Sequence, residues 1–551
     1  MSTGSAVQRT SYEHGTSTTP LIGDPIGRLL EQTASRFGDR EAVVSRAQGV
    51  RLTYAELDAR VTLLARGLLD LGLRRADRVG IWSPNNVEWL LLQYATAKLG
   101  VLLVNINPAY RSHELSFVLQ QSGCRVLVAA PSFKTSDYRA MVGEVRGECP
   151  SLEHAVFLGD PAWEALFDPT TPADAVTTAS AELSADDAIH IQYTSGTTGF
   201  PKGATLSHHN LANNGFFVGE ICGYTEVDRI CVPVPFYHCF GMVMANLAAL
   251  THGSCIVIPS AAFEPGAALA AVAEEKCTSL YGVPTMFLAE LEDPGFASYD
   301  LSTLRTGIMA GSPCPVEVMK RVISEMGMAE VTICYGMTET SPVSTQTRRD
   351  DDLERRVSTV GRPHPHIEVK VVDPETGRTL PRGETGEFCT RGYSVMLGYW
   401  DEPEKTAEAI DAGRWMHTGD LATMDDAGYL NIVGRTKDMV IRGGENVYPR
   451  EVEEFLYAHP AIADVQVIGV PDVRFGEELC AWIRLREGAT LTEDEVREHC
   501  RGKLAHYKVP RYVRFVDEFP MTITGKIQKY KMRADSIESL GLQDAAAAQH
   551  A

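Results

Sequence analysis

Short apolar runs that end in polar or glycine-rich turns alternate along this chain with helical stretches, and few architectures accommodate that alternation. Residues 53–72, TYAELDARVTLLARGLLDLG, place Leu57, Val61, Leu64, Leu68 and Leu71 on one face of an amphipathic helix, with Gly72 as its stop. RVGIW (78–82) reads as a short buried strand, VEWLLLQYATAKLG as a second helix and RVLVAA (125–130) as another strand. The pattern returns around AIHIQYTS, GSCIVIPS and EVTICYG. Strands separated by helices predict a largely parallel sheet covered on both faces. Ligands of open α/β sheets collect at the carboxyl ends of such strands. After about residue 365, IEVKVVDPETGRTLPRGETGEFCTRG predicts β-strands with Gly and Pro turns, and beyond GRTKDMVIRGGENVYP a shorter helix–strand–strand–helix pattern follows. The expected fold class is α/β: a large N-terminal domain of mixed α/β layers with a β-rich subdomain, plus a small α+β C-terminal domain. The expected divisions are a flexible leader (1–24), an N-terminal domain (25–435), a C-terminal domain (436–537) and a flexible tail (538–551).

Bulk properties remove several function classes. A formal charge of -21 argues against broad attraction to nucleic acid or an anionic membrane. No window approaches the roughly 18 consecutive apolar residues of a spanning helix. The Ser- and Thr-rich start lacks the apolar centre of a secretory signal, so a cytoplasmic protein is expected. The 12 cysteines are scattered and none forms a CxxC pair, which favours buried, reduced thiols over metal or disulfide roles.

The chemistry begins at Tyr193–Gly203, YTSGTTGFPKG, with three threonines, one serine, three glycines and one lysine in eleven residues. Glycines let backbone N–H groups approach an anion, hydroxyls add donors, and Lys202 adds a point charge. An apolar strand leads into it, as a phosphate loop requires. It is not a Walker A motif, because Gly203 and Ala204 follow Lys202 where a Mg²⁺-binding Ser or Thr belongs.

This loop resembles the signature of the superfamily of acyl-CoA synthetases, peptide-synthetase adenylation domains and luciferases. PFYHCFG (235–241), AGS (310–312), YGMTET (335–340), TGD (418–420), GRTKDMVIRGGENVYPREVE (434–453) and TITGKIQK (522–529) follow in family order. The resemblance spans about residues 25–535. It implies ATP and coenzyme A as small-molecule substrates, Mg²⁺, and a small domain that moves between two half-reactions. Thr194, Ser195, Gly196, Thr197, Thr198, Gly199 and Lys202 would cradle the phosphates. Tyr335 would cover the adenine, with Gly336, Gly311 and Ser312 lining the adenine and acyl site. Thr338 would bond the α-phosphate and Glu339 would hold Mg²⁺. Asp420 would accept from the ribose hydroxyls and Arg435 would reach ribose or phosphate. Read singly, these two are a turn aspartate and a solvated arginine; the ordered context reverses that judgement. Lys526 would stabilise the charge that builds at phosphorus during adenylation. Lys437 falls at the family's hinge position, and Gly443 and Gly444 would let the pantetheine arm of CoA pass. His238 would sit beside the acyl carboxylate, with a satisfied core histidine as the competing reading.

The segment CFGMVMANLAAL after His238 is apolar apart from Asn246 and offers no acid to pair an amino group. This favours an apolar acyl chain, with Gly241, Ala245 and Ala248 leaving room for a tail. LTYAELDARV, SLYGVPTMF, RGYSVMLGYWDEPEKT and KDMVIRGGENVYPREVE resemble the medium-chain fatty acyl-CoA synthetase branch. Medium-chain acids rank first, long-chain second, aryl or short branched acids third. Rival readings are an adenylating ligase with a carrier-protein or other acceptor, a regulator that has lost catalysis, and a P-loop phosphotransferase. The last two are disfavoured by the intact Lys202, Glu339, Asp420 and Lys526 and by the missing Walker A serine.

Overall fold

The computed structural model of the chain describes residues 9–194, 201–312, 314–435, 438–442, 445–501, 503–521 and 527–549. Local signals and observed elements agree closely at the N-terminal end. The first predicted helix spans Tyr54–Asp70; Thr53 caps it by accepting from the Glu56 N–H, and Glu56 closes the capping box. Leu57, Val61, Leu64 and Leu68 are buried along it. Helix Val87–Leu99 has no polar face because it is buried all round, against helices Ile26–Phe37 and Tyr54–Asp70. Its one buried cation, Lys98, places Nζ 2.7 Å from Glu31 and 2.8 Å from Asp58, which meets the pairing requirement of an interior charge.

Two sheets form the large domain's centre. In the first, strands Ala188–Thr194, Leu102–Asn105, Arg78–Trp82, Val126–Ala129 and His154–Phe157 lie parallel in that order. Lys202–Ser207 and Gly398–Tyr399 extend it antiparallel beside Ala188–Thr194. In the second, Glu330–Gly336, Thr306–Met309, Ser279–Gly282, Arg229–Cys231, Cys255–Ile258 and Glu41–Ser45 run parallel between antiparallel edges. The expected parallel character therefore holds for the sheet centres, and antiparallel strands close every edge but that of His154–Phe157. Their strands are nearly continuous apolar runs because both faces are covered.

The β-rich region forms a third, antiparallel sheet: Tyr12–His14, Ile367–Val372, Gly386–Gly392, Met416–Met424 and Leu430–Arg435. Its first strand corrects the expectation of a flexible leader. Tyr12 pairs with Lys370, and Ser11 N–H donates to Leu380 O. Strand addition uses main-chain groups, so a Ser- and Thr-rich segment without an apolar pattern can still join a sheet edge. The expected flexible tail is corrected likewise, since helix Lys529–Ser539 runs into it and helix Gln543–Gln549 forms within it.

The C-terminal region builds a separate small sheet from Glu445–Val447, Val440–Arg442, Gly476–Leu485, Ile462–Asp472 and Tyr512–Phe515. Helices Pro449–Tyr457 and Glu493–Cys500 accompany it. Arg450 Nη1 donates to Ile432 O at 2.9 Å, tying this helix to the last strand of the third sheet. No helix among the described residues is long and apolar enough to cross a membrane. All 12 cysteines are buried and unpaired.

The second and third sheets meet where Val360 N–H donates to Leu430 O and Leu430 N–H to Gly361 O. Gly361 has φ +81°, and a Cβ there would lie 2.0 Å from the Gln346 carbonyl carbon. Gly377 has a similar φ of +68° but open space around it. Gly377→Ala is expected to cost about 1–2 kcal/mol of conformational strain, and Gly361→Ala a multiple of that, read as shifts in the unfolding midpoint. Equal shifts would contradict the close approach.

Candidate active site

The carboxyl end of strand Glu330–Gly336 turns directly into a short 3₁₀ helix, Thr338–Thr340, and Tyr335, Gly336, Thr338 and Glu339 stand on that turn with Asp420 and Arg435 against it. Tyr335 Oη donates to Asp420 Oδ2 at 2.6 Å, and its ring meets Phe388 edge-on at 5.2 Å. Burial, reinforced by the Asp420 carboxylate, pushes the phenol well above its ordinary range, so it remains a donor. Arg435 is the cross-strand partner of Asp420, and its Nε lies 3.0 Å from Asp420 Oδ1. Asp420 is thus a buried carboxylate held from two sides. The bulged turn inside strand Met416–Met424 that carries it is braced from the neighbouring strand: Thr418 Oγ1 donates to Phe388 O, and Gly419 N–H to Glu387 Oε1. Gly336 is required by close approach, since a Cβ there would sit 1.7 Å from Pro342 O.

A second group forms one turn further on. Thr338 and Glu339 are buried, and Tyr399 Oη donates to Glu339 Oε1 at 2.8 Å. Lys202 Nζ lies 4.9 Å from the centre of the same Tyr399 ring. Thr194 and Lys202 are cross-strand partners where the phosphate loop leaves and rejoins the first sheet. Tyr399 is seated by the pairing of Gly398–Tyr399 with Lys202–Ser207 and by Trp400 N–H donating to Gly203 O. One tyrosine therefore links the loop's lysine to the buried carboxylate. Sequence reasoning missed this residue as a site component, although GYW lay inside a segment already noted for its family likeness.

His238 caps the short helix Cys239–Gly241, its Nδ1 accepting from the Phe240 N–H at 3.1 Å. An accepting Nδ1 places the proton of a neutral ring on Nε2, which makes Nε2 a donor. The adjoining Cys239 thiol is pushed up to about 12 by burial, with the Glu339 carboxylate adding to the effect. The histidine segment and the Thr338–Glu339 turn are therefore neighbours. Past them the chain forms a π-helix, Met242–Leu247, a form that recurs at functional sites. Three side chains donate to its carbonyls: Gln93 to Met242, Tyr281 to Met244 and Tyr94 to Asn246. Asn246 is fully buried and its Nδ2 donates to Gln93. One expectation is corrected here. Gly241 leaves no room for an acyl tail, because a Cβ there would lie 2.5 Å from Pro235 O.

Gly311 and Ser312 occupy the turn after strand Thr306–Met309. Ser195, Gly196, Thr197, Thr198, Gly199, Lys437, Gly443, Gly444 and Lys526 lie outside the described residues.

Comparison with known proteins identifies the family of the chain. Residues 30–400 match the family model of the AMP-binding enzyme, and residues 451–526 that of the AMP-binding enzyme C-terminal domain. YngI, a candidate acyl-CoA synthetase of Bacillus subtilis (strain 168), is 50% identical over 95% of this chain and 99% of its own length. The mitochondrial medium-chain acyl-CoA ligase of Danio rerio is 46% identical over 97% of this chain and 92% of its own. The crystal structure of an anthranilate CoA ligase, AuaEII, with anthranoyl-AMP superposes with a TM-score of 0.85 at 29% identity, covering 94% of this chain and 98% of that one. With both family models matched in order and near-full-length relatives on either side, the chain belongs to the AMP-binding enzyme family, among its acyl-CoA synthetases.

Proposed function

We propose that the enzyme activates a medium-chain fatty acid with ATP and then transfers the acyl group to coenzyme A. The observation that carries the reading is the Tyr335–Asp420–Arg435 cluster at the end of a parallel strand. It offers a flat ring for adenine, a fixed carboxylate for the ribose hydroxyls and a cation beside both. Residues 194–199 and Lys202 then meet the phosphates, Thr338 bonds the α-phosphate, and Gly311, Ser312 and Gly336 line the adenine and acyl site. Glu339 fits Mg²⁺: it is a buried carboxylate with no ion pair among the described residues, suited to a hard cation. Mg²⁺ held there would offset phosphate charge.

In the first half-reaction a carboxylate oxygen of the acid attacks the α-phosphorus. The new O–P bond forms as the bond to the bridging oxygen breaks, and pyrophosphate leaves. No general base is needed, because the acid is already ionised at neutral pH. His238 steadies the carboxylate through Nε2–H, and Lys526 supplies a point cation as charge builds at phosphorus. In the second half-reaction the CoA sulfur attacks the acyl carbonyl and AMP leaves. We assign the chain up to Arg435 and the chain beyond it as the two domains, with rotation about Lys437 exchanging Lys526 for Gly443 and Gly444. A cavity of about 610 Å³ on the small domain, lined by Arg442, Glu478, Arg497, Arg501, Arg511 and His506, begins one residue before Gly443; its arginines are paired with Glu478, Glu493, Glu498 and Asp472, so CoA phosphates would bind there by exchanging with those carboxylates. The buried free cysteines fit a reducing compartment such as the cytoplasm. A hydrophobic pocket separates neighbouring chain lengths by only about 1–3 kcal/mol per methylene, so activity over several lengths is expected.

Pyrophosphate release over a series from acetate through octanoate to palmitate, with benzoate, tests the reading. CoA-stimulated turnover is expected to peak in the middle of the fatty series. Pyrophosphate release indifferent to CoA would move the acceptor elsewhere. Lys526→Ala is expected to slow adenylation on the order of 10²–10³-fold while sparing thioester formation from supplied acyl-AMP; loss of both with the fold intact would contradict the role. Tyr399→Phe removes a hydrogen bond to a charged carboxylate and is expected to slow adenylation on the order of tenfold to a hundredfold. Unchanged adenylation would make that contact incidental.

A further inference from the structure

Three side chains of different chemistry converge on one face of the third sheet, next to the turn that carries Asp420. Glu387 and Cys389 stand two residues apart on strand Gly386–Gly392, so they share a face. His417 is the cross-strand partner of Cys389. Its Nδ1 lies 2.9 Å from Glu387 Oε2 and 3.6 Å from Cys389 Sγ. The three donor atoms all fall within 4.8 Å of one another, the one such group of three or more His, Cys, Asp or Glu side chains among the described residues. On the far side of the ring, Asp411 Oδ2 lies 3.7 Å from Nε2. Cys389 is buried, while the His417 side chain is 32% exposed and leaves a way in from solvent.

We propose that Glu387, Cys389 and His417 bind a thiophilic divalent cation of the zinc class, which fastens the turn carrying Asp420 to the neighbouring strand. One sulfur, one imidazole nitrogen and one carboxylate oxygen form a donor set of that class, and sulfur disfavours Mg²⁺ or Ca²⁺. Without the ion, the hydrogen bonds of the imidazole to Glu387 and Cys389 hold the three donors together. On binding, the Nδ1 nitrogen and the thiol give up their protons to solvent and one divalent cation takes their place. Asp411, 3.7 Å behind the ring, stands where closing by about 1 Å would let it accept from Nε2–H, as a carboxylate commonly does for a ligating histidine. Glu387 binds through Oε2 and keeps Oε1 on the Gly419 N–H, 3.1 Å away. The ion therefore joins strand Gly386–Gly392 to the Thr418–Asp420 turn without displacing the existing brace. This site is separate from Glu339 and takes a softer ion.

Co²⁺ titration of the metal-free full-length protein tests the site, because a thiolate ligand gives cobalt a charge-transfer band. One equivalent is expected to produce that band with tetrahedral d–d absorption, and Zn²⁺ to abolish both. Cys389→Ser is expected to remove the charge-transfer band, and Asp411→Asn to weaken binding about tenfold or more. Zn²⁺ is expected to raise the unfolding midpoint of the wild type and not that of the Cys389 variant. His417→Gln gives a second reading should the buried position reject serine; it is expected to abolish tetrahedral absorption. An aquo-cobalt spectrum, or a charge-transfer band that survives both substitutions, would overturn the proposal.

Discussion

The hydrogen bond from Tyr335 to Asp420 spans 85 residues of chain and joins the end of the second sheet to the third. Neither sheet carries the candidate site alone. The second contributes the aromatic ring and, one turn later, Thr338 and Glu339. The third contributes the carboxylate and its arginine partner from adjacent strands. Phe388 fills the space beneath the ring, and the same strand braces the 418–420 turn through the Phe388 carbonyl and the Glu387 carboxylate. A buried carboxyl group is costly unless partners surround it, so this cluster sets where the two sheets must sit. The contacts of Gly361 with Leu430 hold the same junction from behind.

Much of this was legible in the amino-acid order because the informative elements are local. RVGIW is the strand Arg78–Trp82, and the helix read from Leu57, Val61, Leu64 and Leu68 begins at the Thr53 cap. Tyr335, Asp420 and Arg435 were placed together from motif order, and the structure brings them into contact. What escaped reading depends on partners distant in the chain. Strand Tyr12–His14 has no apolar alternation because it borrows main-chain donors from residues 368–370. Tyr399 becomes a site residue only when a two-residue strand seats it beside Lys202 and under Glu339. Gly241 looked like space for a substrate and is space for the carbonyl of Pro235. A residue's size is visible in a sequence, but what occupies the room it leaves is not.

The π-helix Met242–Leu247 has a consequence for how such an enzyme can change. A π turn holds one residue more than an α turn over the same rise, so it behaves as a stored insertion. The extra residue leaves carbonyls misaligned with the helical ladder, and Gln93, Tyr94 and Tyr281 take them up from neighbouring elements. Those three donors hold the irregular segment in place while the regular helices on either side, from Cys239 and to His252, keep their own register. Gain or loss of a single residue inside this stretch would rotate its side chains relative to their surroundings without moving the flanks. The sequence sets this apolar segment beside the acyl chain, so a lineage could redraw the wall against its substrate by one codon at a time and leave the nucleotide site untouched.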